Sequence, residues 1–308
     1  MNEKIKKRLI MLAVIVMAGM TAFAQGSKFG ANTGVVTTIA PGHVAGDVFD
    51  YEALRYYVVS TEDALLQLEV IGLAGYISGK SGEKYGDQQI LCDPNKVTDV
   101  YGGQITIPHK LSAADAGVAC EILSIAANAF TSTVLYPTTD GGKNETHSKN
   151  QFATAAALVT SIQIYYSSEA TAVASIGANA FAGLTALTQV ENNTPGDKIK
   201  AINKNSFDEN VYKTAPLIVP ATLMGKYASK NGWKEFYIIK DSEDKILGNV
   251  NGDKKLNATD YLKLYSEIKI AMNNNTTVTY STYKDINGDG KVNATDYQLL
   301  YNIIKLHL

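Results

Sequence analysis

Ten oxygen-bearing side chains occupy the same five positions in two twelve-residue segments near the C-terminal end of this chain. The first segment reads NVNGDKKLNATD (residues 249–260), and the second, 36 residues on, reads DINGDGKVNATD (residues 285–296). Asn249, Asn251, Asp253, Asn257 and Asp260 stand at slots 1, 3, 5, 9 and 12 of the first; Asp285, Asn287, Asp289, Asn293 and Asp296 stand there in the second. Slot 7 holds Lys255 or Lys291, which can offer only its backbone carbonyl. A hard cation such as calcium takes about six to eight oxygen ligands, and oxygens at these slots wrap around one ion. The chemistry expected is therefore the binding of two calcium ions, one per loop. Slot 6 must turn sharply; Gly290 suits it and Lys254 does not, so the second loop is expected to be the better site. One such loop could be a chance Asx-rich turn. Thirteen of twenty-one positions are identical when 249–269 is laid on 285–305, which marks a duplication.

Each loop runs into an amphipathic helix. Tyr261, Leu264, Tyr265 and Ile268 recur at helical spacing, and Tyr297, Leu300, Tyr301 and Ile304 repeat them. An ordinary EF-hand carries a second helix before its loop. Here the preceding segments are DSEDKILG (241–248) and the Asn-rich, β-branched NNNTTVTYSTY (273–283), a poor helix former. Each unit is thus a loop plus one helix. This pair of half EF-hands resembles a type I dockerin module over about residues 246–308. The resemblance implies two calcium ions, two antiparallel helices and, as partner, a cohesin module on a scaffolding protein. It also implies that slots 10 and 11, Ala258-Thr259 and Ala294-Thr295, face the cohesin. Their identity in the two copies implies near two-fold symmetry, with either copy able to present itself. Slot 12 is Asp rather than the Glu of sensor EF-hands, which matches dockerins and argues against a calcium switch that opens a groove.

Upstream the message is repetition. ILSIAANAF (122–130), VASIGANAF (173–181) and IKAINKNSF (199–207) share one pattern, with Phe-to-Phe steps of 51 and 26 residues. Strand-like runs lie among them: QITIP (104–108), LVTSIQIYY (158–166) and LTALTQVE (184–191). The polar TTDGGKNETHSKN (138–150) reads as an inserted loop. A period of about 20–30 residues, with a short strand and a helical turn in each unit, is the pattern of a leucine-rich-type solenoid. One unit cannot bury its own apolar face, so stacked neighbours share a continuous ladder.

These repeats resemble the BspA-like leucine-rich repeats of bacterial surface proteins, most closely in VASIGANAFAGLTAL (173–187). APLIVPATLMGKYASKNGWKEF (215–236) resembles that family's closing unit, a strand ending in Val-Pro, then a helix and a Trp-Lys-x-Phe cap. FDYEALRYYVVS (49–60) and LQLEVI (66–71) resemble its opening β-hairpin. The expected fold class is α+β: an irregular leucine-rich-type β-solenoid with an N-terminal β cap, then a small all-α calcium-binding dockerin. The expected domains are a signal peptide (1–24), the β cap and first strand (25–110), the repeats with their C-terminal cap (111–240) and the dockerin (241–308). A linker is expected near Asp241–Lys245. Outward positions on the strands should include Tyr136, Gln163, Tyr165, Thr188 and Gln189, though aromatic side chains in β-rich repeats more often pack than bind.

Lys4, Lys6, Lys7 and Arg8 precede an apolar run from Leu9 to Met20, and Ala22-Phe23-Ala24 fits a small-x-small cleavage rule. This is the pattern of a secretory leader cut before Gln25. Its loss removes four basic groups and one acidic one, moving the formal charge from −2 to −5. No basic cluster remains to attract nucleic acid. No later segment of about eighteen apolar residues calls for a membrane span. Cys92 and Cys120 could form a disulfide after export or pack as small buried hydrophobes. His43, His109, His147 and His307 show no paired metal-ligand spacing.

No pair of carboxylates in a recognisable catalytic setting appears, and no G-x-S-x-G or H-E-x-x-H motif. The chain is therefore expected not to be an enzyme. The expected function is that of a secreted binding protein, docked on a scaffold through its dockerin and displaying a protein- or glycan-recognition surface. Two other readings compete. An accessory or catalytic subunit of a polysaccharide-degrading, cellulosome-like complex would respond to soluble glycan. A host-directed surface adhesin would bind a matrix protein and no sugar.

Overall fold

The computed structural model describes residues 42–62, 65–78, 89–92, 103–111, 113, 117–137, 144–150, 152–166, 173 and 175–306. The expected leader and its cut before Gln25 lie outside the described residues. Three antiparallel strands come first: β1 (Val48–Tyr51), β2 (Leu54–Glu62) and β3 (Leu65–Leu73). In β3 the period-two alternation buries Leu66, Leu68 and Val70 on one face. Then follow β4 (Gly75–Ser78), β5 (Gln89–Cys92), β6 (Gln104–Pro108), β7 (Lys110–Leu111), β8 (Cys120–Ile125), β9 (Thr133–Pro137) and β10 (Asn144–Asn150). Helix α1 (Phe152–Ala157) leads to β11 (Ser161–Tyr165), β12 (Ser175–Ile176) and β13 (Gln189–Asn192). Helix α2 (Glu209–Thr214), β14 (Leu217–Ile218), α3 (Met224–Ala228) and β15 (Ile239–Lys240) close the upstream part. Two longer helices end the chain, α4 (Ala258–Asn273) and α5 (Ala294–Leu306).

The strands form three sheets. One runs β1-β2-β3-β8-β12, with β7 antiparallel beside β8; a second runs β4-β5-β10-β9. The third, β6-β11-β13-β14-β15, is wholly parallel and follows chain order. Its register places Ile105, Ile162, Val190, Leu217 and Ile239 in one row, all buried. The next row, Thr106, Gln163, Glu191, Ile218 and Lys240, lies on the other face, because successive side chains of a strand alternate. Tyr165 and Thr188 are exposed and Gln163 and Gln189 half-buried, while the Tyr136 side chain lies outside the description.

The three Phe residues of the repeated motif stack in a row. Ring centroids are 5.4 Å apart for Phe130 and Phe181 and 4.6 Å for Phe181 and Phe207, with planes within 17° of parallel. Each turn is held to the next by its backbone: Phe130 N–H donates to the Ala180 carbonyl and Phe181 N–H to that of Ser206. Asn128 and Asn179, at equivalent motif positions, both take the left-handed conformation at φ 57° that Asn tolerates well. At the end of the row Phe207 meets Tyr212, Trp233 and Phe236. Trp233 is buried and its indole N–H donates to the Lys200 carbonyl at 2.9 Å, so the aromatic cap keeps its polar atom satisfied.

One expectation is corrected. Residues 144–150 form strand β10 rather than a loop, antiparallel to β9 and parallel to β5. Its polar sequence carries no period-two signal, and the pairing rests on main-chain hydrogen bonds. Asp241–Lys245, where a linker is expected, is a closed turn. The Asp241 carboxylate accepts from the N–H groups of Glu243 and Lys245, both at 2.9 Å, and Lys240 bridges Ile246 across the turn. An Asx-type turn of this kind ties its own backbone. Among the described residues no helix is long and apolar enough to cross a membrane.

Candidate calcium loops and docking face

Both loops are shaped by the oxygens that the sequence singles out. At slot 12, Asp260 and Asp296 are fully buried. Asp260 accepts from Asn251 N–H at 3.1 Å and Asn257 N–H at 3.0 Å; Asp296 accepts from Ile286 and Asn293 N–H, both at 2.8 Å. At slot 1, Asn249 accepts from Gly252 N–H at 3.0 Å. Its counterpart Asp285 does more: one carboxylate oxygen accepts from Gly288 and Asp289 N–H, the other from Gly290 N–H. Slots 3 and 5 match in the two copies. The Asn251 amide donates to Asp253 and the Asn287 amide to Asp289, both at 3.0 Å. Slot 9 serves the helices as well, since Asn257 and Asn293 accept from the N–H groups of Thr259 and Thr295. Asn257 and Asp260 complete a capping box at the start of α4.

Slot 6 departs from expectation. Lys254 takes the left-handed turn that Gly290 takes, at φ 64° against 84°. A side chain there costs about 1–2 kcal/mol, and the surrounding hydrogen bonds of loop one impose it. Lys255 and Lys291, at slot 7, are exposed, and each N–H donates to the slot-5 carboxylate two residues before.

The donor set suits a calcium ion. Burial, with the Asp285 charge beside it, pushes the Asp296 carboxyl up, against the pull of three backbone N–H groups. Two buried carboxylates in one loop are what a divalent cation neutralises. Asp289 is held low by the Asn287 amide and the Lys291 N–H, so it stays ionised. The set mixes amides and carboxylates; among the described residues no group of three His, Cys, Asp or Glu gathers to hold a metal. With an ion bound, Asn249, Asn251, Asp253, Asn257 and Asp260 would hold one, and Asp285, Asn287, Asp289, Asn293 and Asp296 the other, with slot-7 carbonyls completing each.

The two helices pack through a tyrosine cluster. Tyr261 meets Tyr301 at 5.4 Å and Tyr265 meets Tyr297 at 5.3 Å. Advancing a turn along α4 means retreating a turn along α5, so the helices are antiparallel. Leu264, Ile268, Leu300 and Ile304 are buried between them and the loops. Of the positions expected to face a partner, Thr259, Ala294 and Thr295 are exposed and Ala258 half-buried. One and two turns along α4, Leu262 and Tyr265 continue that face at 55% and 48% exposure. The matching positions on α5 are Gln298, exposed, and Tyr301, half-buried.

Sequence reasoning missed how the loops meet the upstream part. Tyr237, just before β15, donates its hydroxyl to the Leu256 carbonyl of loop one at 2.6 Å. Gly225 of α3 lies against Gly288 of loop two so closely that a Cβ on it would fall 2.4 Å from the Gly288 nitrogen. Nothing local in the sequence marks either contact.

Antiparallel loop–helix units with oxygens at these slots define a pair of half EF-hands. Residues 247–305 match the family model of the Dockerin type I domain. The C-terminal part of the chain is a dockerin, a domain that binds calcium and docks onto a cohesin-bearing scaffold. No curated protein and no solved structure matches the chain.

Proposed function

We propose that this chain is an exported, non-catalytic binding protein, held on a cohesin-bearing scaffold by its dockerin and displaying its upstream part as a recognition surface for protein or glycan. The dockerin match over 247–305 carries the reading. Two calcium ions, one per loop, order the module by neutralising its buried carboxylates. The cohesin contacts Ala258 and Thr259 or their copies Ala294 and Thr295, and on α4 the exposed Leu262 and Tyr265 extend the contact. The upstream part is an irregular BspA-like leucine-rich-type solenoid. What supports this is the parallel sheet in chain order, the stacked Phe130, Phe181 and Phe207, and the aromatic cap around Trp233.

The test is binding of the full chain to a panel of immobilised cohesin modules, with calcium and with a chelator. Chelator-sensitive capture by at least one cohesin is expected, and the triple change Asp285→Ala, Asp289→Ala, Asp296→Ala should remove one calcium equivalent by calorimetry. Failure of every cohesin, with calcium bound, would sink the docking reading and leave the loops a stabilising tail. The same chain offered to glycan and matrix-protein arrays reads the upstream surface; a soluble product released from a polysaccharide would overturn the non-catalytic assignment.

A further inference from the structure

Near-identical loops invite the expectation of interchangeable roles, yet their fourth slots stand in different surroundings. Gly252 and Gly288 both occupy slot 4 and both turn left-handed, at φ 77° and 71°. A Cβ added to Gly252 would meet nothing within 4 Å. A Cβ added to Gly288 would lie 2.8 Å from the Lys226 nitrogen of α3, and one added to Gly225 would lie 2.6 Å from the Gly288 Cα and 2.7 Å from the Asp285 carbonyl oxygen. Real Cβ atoms do not approach that closely, so two bare backbones touch here. The Gly288 N–H at this contact is one of the three held by the Asp285 carboxylate. Slot 1 of the other loop, Asn249, is neutral.

We infer that the second calcium loop is an intramolecular interaction surface whose partner is the chain's own upstream part, seated on α3 through Gly225 and Gly288. The inference rests on the calcium reading above. Ordering of loop two sets the position of the Gly288 backbone and thereby supports α3, the Trp233 cap behind it and the end of the Phe row. Loop one has no such seat at slot 4. The copies differ at slot 4: there the second loop carries α3 of the upstream part, whereas loop one meets the upstream part at slot 8, through the Tyr237 hydroxyl on the Leu256 carbonyl, and leaves its slot-4 face open to a scaffold.

The chain has one tryptophan, Trp233, so its emission reports on the upstream cap alone. It sits 5.7 Å from Tyr227 of α3. Thermal unfolding of the full chain followed by Trp emission, with and without saturating calcium, tests the inference, and calorimetry reads ion binding in parallel. In the parent chain calcium should raise the Trp233 transition by several degrees. Gly288→Ala and Gly252→Ala carry the same backbone strain but differ in contact. The first should lose most of that rise and the second keep it. Gly225→Ala leaves the sequence of both loops unaltered and favours the helix, so it serves even where Gly288→Ala fails to fold; by forcing α3 and loop two apart it should bind calcium with the parent's stoichiometry and lose the rise. Equal behaviour of the two slot-4 variants, or a Trp233 transition indifferent to bound calcium, would overturn the inference. Absence of any calcium binding by calorimetry would instead remove the calcium reading, and this inference with it.

Discussion

The hydroxyl of Tyr237 donates a 2.6 Å hydrogen bond to the carbonyl of Leu256, tying the end of the upstream part to slot 8 of the first calcium loop. Burial pushes the Tyr237 phenol up, and the nearby Asp260 charge adds to this, so the donor keeps its proton well into alkaline solution. Together with the closed turn at Asp241–Lys245 it makes the junction between the two parts short and braced. Tyr237→Phe removes the donor alone. A loss of about 1 kcal/mol is expected from denaturant unfolding of the calcium-loaded chain. An unchanged midpoint would mean that water replaces the bond without cost.

Phe181 is the middle ring of the stack, with a neighbour on each face and no exposure. Phe181→Ala is expected to destabilise the upstream part by about 3–5 kcal/mol, the usual range for emptying a buried aromatic site. Tyr165→Ala, at a position 46% exposed, should stay within about 0.5 kcal/mol. Similar losses for the two would show that the Phe row is not the core of this region.

Lys254 carries a side chain through a left-handed turn that its counterpart makes with Gly290. Lys254→Gly relieves that strain and adds backbone freedom to the unfolded chain, which offsets part of the gain. A net stabilisation of about 0.5–1 kcal/mol is expected, with tighter calcium binding at the first site by calorimetry. Weaker binding would indicate that the lysine itself supports the loop.

Cys120 is a buried free thiol beside the Val118 carbonyl, and burial pushes it up to about 12. Its thiolate population near neutrality is therefore small. The peptide containing Cys120 should resist alkylation by iodoacetamide at about pH 8 in the folded chain and react once unfolded. Fast native labelling would contradict the burial and reopen the question of a partner for Cys92, whose side chain lies outside the description.

The parts of this molecule readable along the chain are those made by near neighbours. Asx turns, the slot-9 caps and the apolar stripes of α4 and α5 arise within about twelve residues, so their spacing is visible directly. The Phe motif is legible for a related reason, because a stacked repeat presents the same short pattern at each turn. Segment 144–150 was not legible as a strand: nothing in NETHSKN alternates, and its pairing depends on β9 and β5 coming alongside.

The sequence by itself determined the duplicated loops, their helices and the recurrence of Ile and Phe upstream, since each is set by local spacing and side-chain chemistry. Through Ala258-Thr259 and Ala294-Thr295 it also implied that either copy could present itself to a partner. Only the tertiary structure decided how the two loops differ. It set Gly288 against Gly225 while leaving Gly252 in the open, and gave Tyr237 its acceptor. These outcomes depend on which distant backbone arrives at each surface, and identical residues at identical slots cannot encode that difference.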